Sequence, residues 1–250
     1  MQSSEAHFRT RRIEIPIGYM KEMVGRIFDE LSAGVEDSYR EITGLGQPRS
    51  IVSMYAPTSM PLLPGGIRGS SKEIVHRTVL PFGVVETGEA WWQDWHNYSG
   101  QSLRGSADNT VVERYGLEIC DLKTNTFYAQ QILRRHVEKH RVVYAWNAYI
   151  EPFSFKGKRV SGIYYLEQSN VLIKPENQES LDNEALSLML SREVITPHFL
   201  DLKLKDDPKM TAVTSFLLSS MSPYTKARSE MVESMLVDKV LQKRQRTIET

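Results

Sequence analysis

From Val142 to Ile150 every second residue is apolar, with Val142, Tyr144, Trp146, Ala148 and Ile150 in phase. A period of two belongs to a half-buried strand, not to a helix. Directly upstream, Gln131 to Val137 runs into the charged stretch Glu138 to Arg141. If that stretch is a turn, the hairpin sets Val137 opposite Val142, Arg135 opposite Tyr144 and Leu133 opposite Trp146, all on one face. This face then carries a broad aromatic surface and one arginine. A guanidinium is rarely buried without a partner, so the combination points to a lined cavity more than to a plain core.

The flanking chain extends the same sheet. Glu73 to Phe82, Asn109 to Ile119, Thr126 to Val137, Ile163 to Ile173 and Ala185 to Thr196 read as strands, and Ser50 to Tyr55 as a short one within a Gly/Pro/Ser-rich segment. Hairpin pairing keeps odd positions together, so Tyr115, Leu117, Ile119, Phe127, Leu133 and Arg135 face the same way as Tyr144 and Trp146. Glu167 sits mid-strand among apolar neighbours, and Leu186, Leu188, Leu190 and Val194 share one side of the last strand. Pro152 to Arg159 reads as a loop. Consecutive strands without intervening helices argue for an α+β antiparallel sheet.

Helical spacing marks three other stretches. Met20, Val24, Ile27, Phe28, Leu31, Val35, Tyr39 and Ile42 predict one amphipathic helix over residues 16–42, with Pro16 in its first turn. Gly25 and Gly34 each weaken it by about 1 kcal/mol relative to alanine, so packing must hold it, on the domain or against a second copy. Gly83 to Asn97 predicts a short helix bearing Trp91, Trp92 and Trp95, with Thr87 placed to cap it. Lys209 to about Gln245 predicts a long terminal helix, with a break expected at Pro223. Residues 1–15 read as a polar arm with a basic knot at Arg9, Arg11 and Arg12, and residues 241–250 as a polar tail.

Composition bounds function more than fold. The 250 residues carry 31 basic and 31 acidic side chains, so no overall charge draws the chain to nucleic acid. Cys120 is the single cysteine, which excludes an internal disulfide and fits a reducing, cytoplasmic setting. No apolar run approaches the roughly 20 residues of a membrane helix. His136 and His140 stand four apart, a zinc spacing on a helix, but the surrounding alternation places them on strands and a turn. No nucleophile elbow, P-loop or dinucleotide fingerprint is present.

Arg134-Arg135-His136-Val137-Glu138, Arg141-Val142-Val143, Trp146, Ile150-Glu151-Pro152 and Tyr165-Leu166-Glu167 resemble the oomycete M96 mating-specific protein family, whose members are similar to START domains. Asp108 to Glu113 and Val171 to Pro175 fit the same pattern, and the likeness spans roughly Glu73 to Met235. Ser169 and Asn170 stand where a glycine and an aromatic are expected, and His136 replaces an aromatic. The resemblance implies a helix-grip, Bet v 1-like architecture over residues 43–240: a curved antiparallel sheet wrapped around a long C-terminal helix, enclosing a tunnel for a lipid or other hydrophobic small molecule. Such domains need no metal or cofactor. Some hold a buried acid–arginine pair, a role the strand parity offers to Arg135 and Glu167. Tyr115, Leu117, Leu133, Tyr144 and Trp146 complete the expected cavity lining.

The function expected is therefore non-catalytic binding of an apolar ligand, with transient membrane contact. The competing reading is an interaction module, in which residues 16–42 and the basic ends recruit partners or a second copy while the sheet is a solid scaffold.

Overall fold

The computed structural model describes residues 9–19, 27–44, 67–99, 103–104, 109–120, 123–176 and 186–248. Five long strands, β5 (Thr110–Cys120), β6 (Thr124–Val137), β7 (Val142–Phe155), β9 (Ile163–Pro175) and β10 (Ser187–Phe199), pair antiparallel in the order β5-β6-β7-β9-β10. β3 (Lys72–Leu80) pairs along the far side of β10, so an early strand flanks the last one. Three two-residue strands add short pairings: β2 (Ile67–Arg68) on β10, β4 (Leu103–Arg104) on β5 and β8 (Lys158–Arg159) on β7. In the central hairpin Val137 faces Val142, Arg135 faces Tyr144 and Leu133 faces Trp146, the register that alternation alone predicts.

Several elements depart from the sequence expectations. Residues 9–13, expected as an arm, form strand β1 (Arg9–Ile13) paired along β5. Arg11 and Arg12 find carboxylate partners there, Glu118 at 2.5 Å and Glu113 at 3.3 Å, so the basic knot is compatible with a sheet edge. The expected loop after Pro152 is instead a hairpin: β7 runs on to Phe155, and Lys156 (φ 51°) and Gly157 (φ 78°) make a tight left-handed turn into β8. The strand expected at Ser50 to Tyr55 lies outside the described residues.

Helix α1 (Phe28–Gly44) follows a bend at Ile27; residues 17–19 are also helical, and the stretch between lies outside the described residues. Helix α2 (Val84–Ser99) begins three residues before the expected cap. Thr87 is buried and shares a 2.8 Å hydroxyl contact with Ser187 on β10 instead of capping. Helix α3 (Pro208–Ile248) runs without a break past residue 223 and takes in residues 241–248 of the expected tail. Its start fits its sequence: Asp207 accepts from the backbone N–H of Lys209 at 2.7 Å and Met210 at 3.3 Å, with Pro208 at the first helical position.

Helices lie on both sides of the sheet. One face meets α2 and α3; the other meets α1, whose Leu31 and Val35 are fully buried beside Ile132, Ala145 and Leu166. α1 therefore spends its best apolar positions on its own sheet. On the α3 face the core divides in two. At one end Ile119, Phe127, Ile150 and Tyr165 pack against Met210, Val213, Phe216 and Leu217. At the other, Leu133, Tyr144, Val171 and Met189 pack against Trp91, Trp95, Val232 and Leu236. Among the described residues no helix is long and apolar enough to cross a membrane.

Candidate functional site

Between the two apolar ends, the strand register draws polar side chains into adjacent rows on the α3 face. One row reads Glu113, Gln131, Ala148, Glu167, Ile195; the next reads Val111, Leu133, Trp146, Ser169, Glu193. Directly opposed residues point to the same side of an antiparallel sheet, so these rows form a polar belt across it. Glu113, Glu167 and Glu193 are only 2%, 6% and 6% exposed. Carboxylates at that depth are costly unless hydrogen-bonded, and the belt supplies partners. Tyr115 donates to Gln131 at 3.3 Å, Gln131 donates to Glu113, and Arg12 reaches Glu113 from β1 while lying 4.0 Å above the Tyr115 ring.

Glu167 is the centre of the belt. Its Oε1 accepts from Trp146 Nε1 at 2.7 Å and from the Ser169 hydroxyl at 2.8 Å. Burial pushes its carboxyl above the usual carboxylate range, against the opposing pull of those two hydrogen bonds and of the Arg228 charge. Arg228 projects from α3 and pairs with Asp94 of α2 at 3.2 Å. Both side chains of that pair are largely buried, and burial raises the Asp94 carboxyl although Arg228 lowers it. The Arg228 guanidinium lies 4.5 Å from the Trp95 ring centre and 5.4 Å from that of Trp91.

The aromatic wall is built by α2. Trp91 stacks on Tyr144 at 4.0 Å and on Trp95 at 5.4 Å, and Trp146 lies 5.6 Å from Trp95. Gly88 makes this approach feasible: a Cβ there would sit 3.0 Å from Val142, and its carbonyl accepts the Tyr144 hydroxyl at 2.6 Å. Trp95 Nε1 and Glu113 Oε1 are among the buried polar atoms that find no hydrogen-bond partner. Trp146, in the middle of the covered face, is only partly buried.

The residues singled out in the sequence separate into groups. Leu133, Tyr144 and Trp146 meet in the tryptophan cluster, Tyr115 and Leu117 lie half-buried at the other apolar end, and Glu167 stands between them. Arg135 shares their face and lies opposite Tyr144. It pairs with Glu89 of α2 and lies 5.4 Å from the Trp92 ring centre. Opposite Tyr144, it is four residues along β7 from the position facing Glu167, about 13 Å at strand rise. In place of an Arg135–Glu167 pair, Arg135 pairs with Glu89 and Glu167 is held by Trp146 and Ser169. Glu113, Gln131 and Glu193 hold odd positions, and the parity rule applied to every strand finds them. Nothing in strand parity points to Asp94 or Arg228, which reach the belt from helices.

His136 stacks on Tyr39 of α1 at 3.7 Å, on the opposite face. Among the described residues no group of three or more His, Cys, Asp or Glu side chains is placed to hold a metal ion.

No family model and no curated protein matches the chain. Solved structures similar to it include a hypothetical protein from Helicobacter pylori, with 11% identity and a TM-score of 0.39 over 66% of this chain and 87% of that one. A conserved protein from Geobacillus kaustophilus reaches 10% identity and a TM-score of 0.39 over 67% of this chain and 96% of that one. Norcoclaurine synthase from Thalictrum flavum, in complex with dopamine and hydroxybenzaldehyde, shows 10% identity and a TM-score of 0.34 over 77% of this chain and 94% of that one.

Proposed function

We propose that this chain is a helix-grip, START-like binding protein that holds a hydrophobic small molecule or lipid between its sheet and α3, without catalysing a reaction on it. The observation that carries the reading is the buried polar belt. Glu113, Gln131, Glu167, Ser169 and Glu193 cross a face whose two ends are apolar, an arrangement suited to a guest with an apolar body and a polar head. A solid core gains nothing from carboxylates at its middle. The unpartnered Trp95 Nε1 and Glu113 Oε1 support the same view, since each can serve a guest or a buried water.

The M96-like motifs bear on the same residues, as Trp146 and Glu167 both belong to them. An intracellular location and brief visits to a membrane surface go with a carrier of this kind. The test is titration of the full chain with N-phenyl-1-naphthylamine, a neutral apolar probe excited by tryptophan emission. Saturable energy transfer, competed by hydrophobic ligands, supports binding; absence of saturation removes it in favour of the scaffold reading.

A further inference from the structure

Among the described residues the sheet ends on two open edges, the outer sides of β1 and of β3. An open edge presents a row of free backbone N–H and C=O groups, a template for another strand. β1 is guarded against its own copy, since Arg9, Arg11 and Arg12 fall within five residues. β3 has no such guard. Its residues on the α1 side of the sheet, Glu73, Val75, Arg77 and Val79, are all exposed, with Val75 at 48%. A long edge strand with an exposed valine at its middle invites pairing.

We infer that β3 pairs antiparallel with β3 of a second copy of this chain, about a two-fold axis through Val75, so that one continuous sheet crosses the dimer. An axis normal to the sheet keeps each side chain on its own face, so only registers centred on a residue are allowed. Centred on Val75, Glu73 lies opposite Arg77 of the second copy on both sides of the axis, and the two valines meet between them. On the other face Lys72 lies opposite Thr78 and Ile74 opposite His76, so no like charges meet. Centring on Ile74 or His76 sets Glu73 against a valine, and centring on Glu73 or Arg77 sets that charge against itself. The nearby charges extend the match. Glu73 already accepts from Arg192 at 2.6 Å, and Arg77, its side chain 60% exposed, lies 3.9 Å from Glu176. The dimer therefore lines up Arg192, Glu73, Arg77 of the second copy and that copy's Glu176, with signs alternating. This contact leaves α1 on its own sheet and is independent of the ligand-binding function.

The experiment is sedimentation velocity of the full chain from about 1 to about 200 µM, a range set by the small size of an interface one strand wide. The expected result is a reversible shift from one chain to two and nothing larger, because the axis uses both β3 edges. Val75→Glu sets two carboxylates against each other at the axis and should weaken association by about tenfold or more, with thermal melting unchanged. Glu73→Arg and Arg77→Glu should each do the same alone. An equimolar mixture of those two variants should recover the dimer, since opposite charges then face each other at both positions. A chain that stays single at every concentration overturns the inference. So does a dimer indifferent to Val75→Glu, or a mixture of folded charge variants that stays apart. If Glu73→Arg melts early for loss of its bond to Arg192, Val75→Glu decides alone.

Discussion

Trp146 and Glu167 sit on neighbouring strands, and the indole N–H of one donates to the carboxylate of the other at 2.7 Å, at the middle of a helix-covered sheet face. The bond holds a buried acid whose carboxyl is raised above the usual range, chiefly by burial. The folded state therefore binds this proton more tightly than the unfolded state. The resulting stability is present below the unfolded pKa and is lost as pH climbs through the folded one. Glu167→Gln removes that loss. Its melting temperature, followed by circular dichroism, should exceed that of the parent at pH 7.5. Near pH 4 the two should converge.

Arg135 should couple to Glu89 and not to Glu167. Double-mutant cycles in urea with Arg135→Met, Glu89→Gln and Glu167→Gln should return about 0.5 kcal/mol for the first pair, small because Glu89 is half-exposed. The second pair should give a value indistinguishable from zero. A coupling above about 1 kcal/mol between Arg135 and Glu167 would restore the pairing suggested by the family resemblance.

β1 should be held by the close fit of Ile13 on Gly116. A Cβ at Gly116 would lie 2.5 Å from Ile13 Cγ1, so Gly116→Ala should cost about 1–3 kcal/mol. Ile13→Ala in the same chain should recover most of it. A Gly116→Ala variant as stable as the parent would mean that residues 9–13 contribute little to the sheet.

The central hairpin was legible because its physics is local. Alternation from Val142 to Ile150 fixes which side chains share a face, and the charged turn at Glu138 to Arg141 fixes the register, down to Leu133 opposite Trp146. The same parity contained Glu113, Gln131 and Glu193, whose polarity hid their position inside. Strand parity has no information about how a helix lies over a sheet. α2 brings Glu89 to Arg135, and α3 brings the charge of Arg228 towards Glu167, so the ion-pair partner of Arg135 and the cation that acts on Glu167 both came from elements whose placement is tertiary. β1 was obscured for another reason: Arg9 to Ile13 looks solvated until Glu113 and Glu118 on β5 are known to face it.

His198 should set part of the acid limb of stability. It is buried on the α1 face, stacked on Tyr164 at 5.0 Å, and burial lowers its pKa to about 4. An unfolded imidazole takes up a proton near 6.5, which the folded one refuses until about 4. The stability that a neutral His198 contributes is therefore lost as pH falls across that window. His198→Phe, which preserves the stack, should lose about 2 kcal/mol less than the parent between pH 7 and 4.5, measured by urea unfolding.

Native mass spectrometry of the full chain tests the central claim most directly. The expected result is a hydrophobic small molecule, copurified or added, held at one per chain and released when the protein is unfolded, with occupancy reduced by changing Trp146 to Ala. A chain that flies bare and takes up no apolar ligand, with Trp146→Ala indistinguishable from the parent, would contradict it.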